Sequence, residues 1–208
     1  MKKVVKKMKI SWKIGSFLFF ISSLFLHSCA TQRGVGYVVH GFDVKKTYKL
    51  ALIPQLHSNY LKQPDLEKVY EYYQLVLLSF PFFRIIDRKN IEVILNEQNF
   101  QYSGLVDESQ AVEFGKLLAA DFIGVYEVMS ASKGWDDILG GQKYKISLVF
   151  KLIDVEKGEI LYYGSGDGEA ISSEIRPLSE SEAKIEAIRD GIKNSLKKLK
   201  ESYKEEAK

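Results

Sequence analysis

The sequence predicts an α/β fold: a mixed β-sheet of about five strands with helices packed on it, ordered β-α-β-α-α-β-β-β-α and ending in a long C-terminal helix. Three observations carry this. Short β-rich runs alternate with segments of helical apolar period up to residue 129; two alternating segments joined by "EKG" follow; a last helical period starts at Ser179. Helical crossovers early and a hairpin late put parallel and antiparallel pairings in one sheet.

"YKLALIPQ" (48–55) is a short apolar strand stopped at Pro54. In "PDLEKVYEYYQLVLLSF", Leu66, Val69, Tyr70, Tyr73, Val76, Leu77 and Phe80 share one helix face, with Pro64 near the first turn and Pro81 as the stop. "FFRIID" (82–87) is a second strand, and Asp87 suits an N-cap for a helix with Ile91, Ile94 and Leu95 inward. After the loop "NFQYSGLV", Asp107 caps a helix that turns Ala111, Phe114, Gly115 and Leu118 inward. Gly115 in mid-helix costs roughly 1 kcal/mol against Ala, which points to a close helix–sheet contact. "DFIGVYEVM" (121–129) is apolar enough for a strand covered on both faces. In "KYKISLVFKLIDV", Tyr144, Ile146, Leu148, Phe150 and Leu152 alternate with polar residues, and "EILYYGSGDGEA" returns as the hairpin partner. Ile185, Ile188, Ile192, Leu196, Leu199 and Tyr203 then mark the closing helix. Residues 47–205 form one domain.

Upstream of this domain, residues 1–28 hold six lysines and no carboxylate, and the apolar run "IGSFLFFISSLFL" ends near the only cysteine, Cys29. A basic stretch followed by so short an apolar run is a secretory signal; a membrane-spanning helix needs about 20 residues. Leu26-His27-Ser28-Cys29 resembles the lipobox of bacterial lipoproteins, with His27 departing from the usual small or neutral residue. The resemblance implies cleavage before Cys29, acylation of its thiol (palmitate-type chains) and a third chain on the new N-terminus. Two or more acyl chains anchor stably, at about 0.8 kcal/mol per buried CH₂. The alternative is an uncleaved anchor helix with an incidental cysteine. Ala30 in place of Asp favours the outer membrane, facing the periplasm. Residues 29–46 are then the lipidated cysteine and a tether, since 30–46 carry three glycines and no helical period.

Loss of the signal removes six of the 30 basic residues and leaves 24 against 27 acidic ones, so the basic balance of the whole chain supports no nucleic-acid partner. Chemistry is sparse. His40 and His57 stand in no metal-ligand spacing, and no nucleophile elbow or phosphate-binding lysine motif occurs. "GSGDGEA" (164–170) could cradle a phosphate, but no helical period starts at its glycines; a bulged or strongly twisted strand end is the better account. "GWDDILGG" (134–141) places Asp136 and Asp137 between glycines, as a weak cation site or a solvated hairpin loop. Trp135 on that loop marks a contact surface for a partner. Glu92 with Asn96 and Glu180 with Lys184 are solvated helix faces. No catalytic residue, cofactor or metal is expected, and the chain is read as a non-enzyme.

"DRKNIEVILNEQNFQYSGLVDESQAVEFGKLLAADFIGVYEV" (87–128) resembles the core of the CsgG superfamily of bacterial lipoproteins, through Arg88, Leu95, Glu97, Gln98, Gly104, Asp107, Gly115, Lys116, Leu118, Ala120 and Asp121. Ala119 stands where the family commonly has Gly, and "LIDVEKGEIL" (152–161) resembles the family's hairpin. The likeness spans roughly 48–165 and rests on structural motifs. It implies an envelope accessory of secretion or surface assembly, oligomeric through the shared domain. Curli-secretion channels of the family carry two long inserts that become membrane-spanning hairpins, and such a strand needs about 9–11 residues. Here only 15 residues separate Val128 from Tyr144, and about as many separate Tyr163 from the final helix, too few for a spanning hairpin at either place. The alternative is an LpoB-like activator of a peptidoglycan synthase, a type that crosses the periplasm on a long disordered tether; 17 tether residues span at most about 60 Å.

Overall fold

The computed structural model describes residues 34–38, 43, 45–97 and 108–206. Six strands form one sheet: β1 (Gly34–Val38), β2 (Tyr48–Ile53), β3 (Phe83–Ile85), β4 (Phe122–Asp136), β5 (Gly141–Asp154) and β6 (Ile160–Ser173). Among the described residues five helices accompany them: α1 (Gln63–Leu78), α2 (Arg88–Glu97), α3 (Glu108–Leu117), α4 (Glu180–Ser195) and α5 (Lys197–Glu206). The spatial order is β1-β6-β5-β4-β2-β3. β3, β2 and β4 run parallel, whereas β4, β5, β6 and β1 are antiparallel. The mixed α/β sheet expected from the pattern is present, with one strand more than the estimate.

The sheet has a helical cover on each face. One face carries Leu50, Leu52, Tyr126, Leu148, Phe150 and Tyr162 against α1 and α4. Tyr73 of α1 stacks on Tyr126 and Phe150 at ring-centroid distances of 4.8 and 5.3 Å. Ala51, Ile53, Ile123 and Ile153 point to the other face and meet Ile91 and Leu95 of α2 and Ala111 and Phe114 of α3. Gly115 supplies the close approach its position called for: a Cβ there would lie 2.5 Å from Val155 Cγ2. Pro64 sits at the start of α1, and Leu66, Val69, Tyr70, Tyr73 and Leu77 are its buried face. Asp87 Oδ1 accepts the Lys89 N–H at 2.8 Å, the capping bond expected there. The cap assigned to Asp107 lies outside the described residues.

Four features differ from the sequence reading. The strand expected over 121–129 runs on to Asp136, so Trp135, expected on the loop 134–141, is a strand residue paired with Gln142. Residues 34–38, placed in the tether, are an edge strand paired to β6 from Gly34↔Gly166 to Val38↔Tyr162. The closing helix is two helices that meet at Leu196. Ser179 and Glu182 form a capping box at the start of the first. The "GSGDGEA" segment is regular strand. Gly164, Gly166 and Gly168 lie two residues apart on the face under α4, where a Cβ would collide with the backbone of Ser195, Gly191 and Ala187. The glycines let the helix lie directly on the strand. The register shift of this hairpin falls instead between Leu152 and Ile153.

A candidate interaction surface at the end of the long strands

β4, β5 and β6 have 15, 14 and 14 residues and outrun their neighbours. β2 pairs with β4 only over Phe122–Val125, and β1 with β6 only over Tyr162–Gly166. Beyond that, 130–136, 141–147 and 167–173 form a three-stranded ribbon, and no described strand pairs with its outer margins. A bulge at Met129, between the pairs Val128↔Leu148 and Ser130↔Ser147, resets the alternation of β4. Ala131, Lys133 and Trp135 thereby fall on the same face as Ile146 and Tyr144.

Charge fastens the ribbon. Lys143 Nζ lies 3.0 Å from Asp136 Oδ2 and 2.6 Å from Glu169 Oε1, bridging all three strands. Lys133 reaches Glu180 at the first turn of α4 at 2.9 Å, and Glu180 also meets Lys184 at 3.1 Å. These two lysines hold the Glu180 carboxyl down at about 2. Asp136 also accepts the N–H groups of Ile138 and Leu139 through Oδ1, at 3.1 and 2.9 Å. The Leu139 bond first, then Lys143, and last the Ile138 bond lower its pKa. Its oxygens are thus engaged by turn and lysine, which makes the solvated hairpin turn the better account of "WDDI". Among the described residues no group of three or more acidic, His or Cys side chains could hold a metal ion.

At the ribbon's end the side chains change character. Trp135 is 61 % exposed, Ile138 92 % and Leu139 53 %, and Ile175 in the β6–α4 connection is 89 % exposed. Leu139 and Ile175 line one depression together with Ile171. The sequence reading named Trp135 as a contact residue and did not name Ile138, Leu139 or Ile175, which are exposed beside it. The signal that could have found them is the apolar pair inside a turn, where alternation no longer requires burial. A separate groove of about 320 Å³ lies between the start of α1, the ribbon and the start of α4. Tyr60 and Tyr144 line it, and the Lys133–Glu180–Lys184 chain forms part of its wall.

Elsewhere the polar groups are structural. Arg88 takes Glu67 with both terminal nitrogens and Glu92 with Nε, and lies 4.8 Å from the Tyr70 ring centroid. Glu92 and Glu180 are about half exposed, as expected of solvated faces, and are ion-paired as well. Burial raises the pKa of Tyr73, whose hydroxyl bonds Ser195 Oγ at 2.9 Å, so it stays neutral. His57 is exposed in the β2–α1 connection. Cys29 and His40 lie outside the described residues.

The model of the family described as "Curli production assembly/transport component CsgG" matches residues 39–179. The chain belongs to the CsgG family. Solved structures with a related arrangement include lipoprotein GNA1162 from Neisseria meningitidis, at 12 % identity and TM-score 0.49 over 60 % of this chain and 84 % of that one. The PelC dodecamer from Paraburkholderia phytofirmans shows 16 % identity and TM-score 0.47 over 78 % and 95 % of the two chains. The LpoB C-terminal domain from Salmonella enterica shows 15 % and 0.42 over 59 % and 82 %. No curated protein matches the sequence. In this CsgG-family chain the β4–β5 turn and the β6–α4 connection are 137–140 and 174–179, with no long insert at either place. The strands of the ribbon's hairpin extend seven residues past the bulge, against the roughly 9–11 of a spanning strand. No described helix is long and apolar enough to cross a membrane.

Proposed function

We propose that this chain is a non-enzymatic lipoprotein, anchored through Cys29 in the outer membrane and facing the periplasm, that acts as an accessory interaction module in envelope assembly or secretion. Membership of a family described as an assembly and transport component carries the reading. The ribbon supports it: exposed aromatic and apolar side chains on a charge-fastened scaffold suit recognition of a surface. Its two unpaired margins also offer main-chain groups to further copies of the chain.

The activator reading loses ground on one observation. With β1 starting at Gly34, only four residues separate Cys29 from the sheet, so the five steps of chain reach about 17 Å at most rather than the 60 Å of a free tether. In-cell crosslinking of the tagged, lipidated protein tests the assignment. Export or envelope-assembly proteins among the crosslinked partners support it, with or without copies of the chain itself. A peptidoglycan synthase as the sole partner would establish the activator reading instead. In parallel, Cys29→Ala should yield an unacylated protein in the soluble or uncleaved fraction.

A further inference from the structure

We infer that the exposed ridge of Arg189, Lys193, Lys197, Lys200 and Lys204, with Leu75 of α1 beside it, docks an acidic amphipathic helix of a partner protein. The ridge lies on α4 and α5, apart from the ribbon, and its charges do not depend on the lipid anchor. The five cations are spaced 4, 4, 3 and 4 residues apart, which keeps them on one side of a helix. All five are exposed. The junction at Leu196 does not interrupt the row, because the Leu196 N–H donates to Ile192 O and the Lys200 N–H to Leu196 O, both at 3.1 Å. At 1.5 Å per residue the row is about 22 Å long.

Charge selects the partner. Residues 29–208 carry 24 basic against 27 acidic groups, so five cations in a row are a local excess against the balance of the chain. The acids of the same two helices are engaged elsewhere. Glu180 holds Lys133 and Lys184, Glu182 closes the capping box, Glu186 lies 2.8 Å from Arg176, and Glu201 lies 2.8 Å from Lys198. Among the described residues no carboxylate forms an ion pair with Lys193, Lys197, Lys200 or Lys204. Single surface pairs contribute little, whereas an array of like charges draws in an acidic partner and orients it. The apolar side of the surface narrows that partner to a helix. The Arg189 guanidinium sits 4.5 Å from the centroid of the Tyr72 ring and ties the ridge to α1. Leu75, one turn beyond Tyr72, is 60 % exposed. A flexible polyanion would use the cations alone. A helix whose Asp and Glu recur every three or four residues repeats at the pitch of the ridge, about 5.4 Å per turn, and its apolar stripe has Leu75 and the exposed part of Tyr72 to cover.

A photoreactive amino acid replaces Leu75 or Lys204 in the full-length protein, in cells that produce it, and the adducts formed on irradiation are mapped by mass spectrometry. Both positions are expected to capture one partner polypeptide, in a segment where Asp and Glu recur every three to four residues among apolar ones. The double variant Lys193→Glu, Lys200→Glu, altered only at exposed positions, should keep its circular dichroism and lower the yield of adduct severalfold. Lys200→Gln, which removes one charge without reversing it, should lower the yield less. Lys157→Glu, in the exposed β5–β6 turn, should not lower it. Adducts with a polysaccharide, with lipid or with a second copy of this chain overturn the docking of a partner helix. So do a captured segment without the acidic repeat, a yield that both ridge variants leave unchanged, and irradiated cells with no adduct at either position.

Discussion

Gly168 of β6 and Gly191 of α4 meet with no side chain between them. A Cβ on Gly191 would come within 3.3 Å of the Gly168 nitrogen, and one on Gly168 would collide with the Gly191 nitrogen and the Ala187 carbonyl. The helix backbone rests on the strand backbone, and Ala187, Ile188 and Ile192 of the same helix are buried on the sheet beside this contact. Any side chain at Gly168 must lift α4 away from that core.

Gly168→Val is therefore expected to destabilise the domain by about 3 kcal/mol or to prevent folding, at the upper end of what overpacking costs. Gly134 provides the control, since a Cβ there meets nothing within 4 Å. Gly134→Ala should leave stability unchanged or raise it by up to about 1 kcal/mol, because glycine in a strand interior weakens it. Urea unfolding followed by circular dichroism measures both. Equal losses in the two variants would show that the Gly168 contact is not what sets the helix position.

Contacts of the same kind explain part of what the sequence concealed. Periodicity found α1, because its burial repeats within one helix. β1 is five residues with two glycines, and its partner strand lies more than 120 residues away. Nothing local marks Gly34 and Gly36 as strand. Their reason is tertiary, since a Cβ at Gly34 would lie 2.5 Å from Asn194 O and one at Gly36 2.7 Å from Lys198 Cβ. The break at Leu196 was hidden as well, because Leu196 and Leu199 are both buried and keep the apolar rhythm across it. Of the candidate surface, Trp135 could be read from its residue type. Ile138, Leu139 and Ile175 could not, since only the fold shows that the ribbon carries them beyond the core.

That helix break has a specific support. Tyr162 Oη donates to the carbonyl of Ser195, the last residue of α4, at 2.5 Å, and both residues are buried. Tyr162→Phe keeps the ring in the core and leaves that carbonyl without this donor, at a cost of about 1–3 kcal/mol. The expected signature is a lower urea midpoint together with faster amide exchange in α5. A variant as stable as the parent would mean that water replaces the hydroxyl.

Acid should loosen the ribbon's hold on α4. The Glu180 pKa is depressed from the ordinary 4.5 to about 2, first by the Lys133 hydrogen bond and then by Lys184. A depressed carboxylate contributes stability that is present above the unfolded-state pKa and is lost as pH falls through the folded value, here between about 4.5 and 2. The group is solvent-exposed, so screening keeps the effect small. Glu180→Gln should be less stable than the parent at pH 6, and the gap should close by pH 2. A gap independent of pH would show that the carboxylate charge plays no part.

Ala119 is the clearest place where this chain strains against its own backbone. It has φ +48°, the left-handed region that side chains disfavour. The position follows α3: the Ala120 N–H donates to Gly115 O at 3.0 Å and the Ala119 N–H to Lys116 O at 3.1 Å. That pair of bonds is a Schellman cap, whose left-handed residue is most often glycine. The resemblance to the family already set Ala119 apart as an alanine in a common glycine position, and the cap supplies the reason for the glycine. The left-handed conformation costs a non-glycine residue about 1–2 kcal/mol, and the extra freedom of an unfolded glycine returns about 0.4–1 of it. Ala119→Gly should therefore stabilise the domain by about 0.5–1 kcal/mol, read as a higher urea midpoint at unchanged slope. A lower midpoint would mean that the methyl group packs usefully and that the strain at this cap is smaller than its dihedral angle implies.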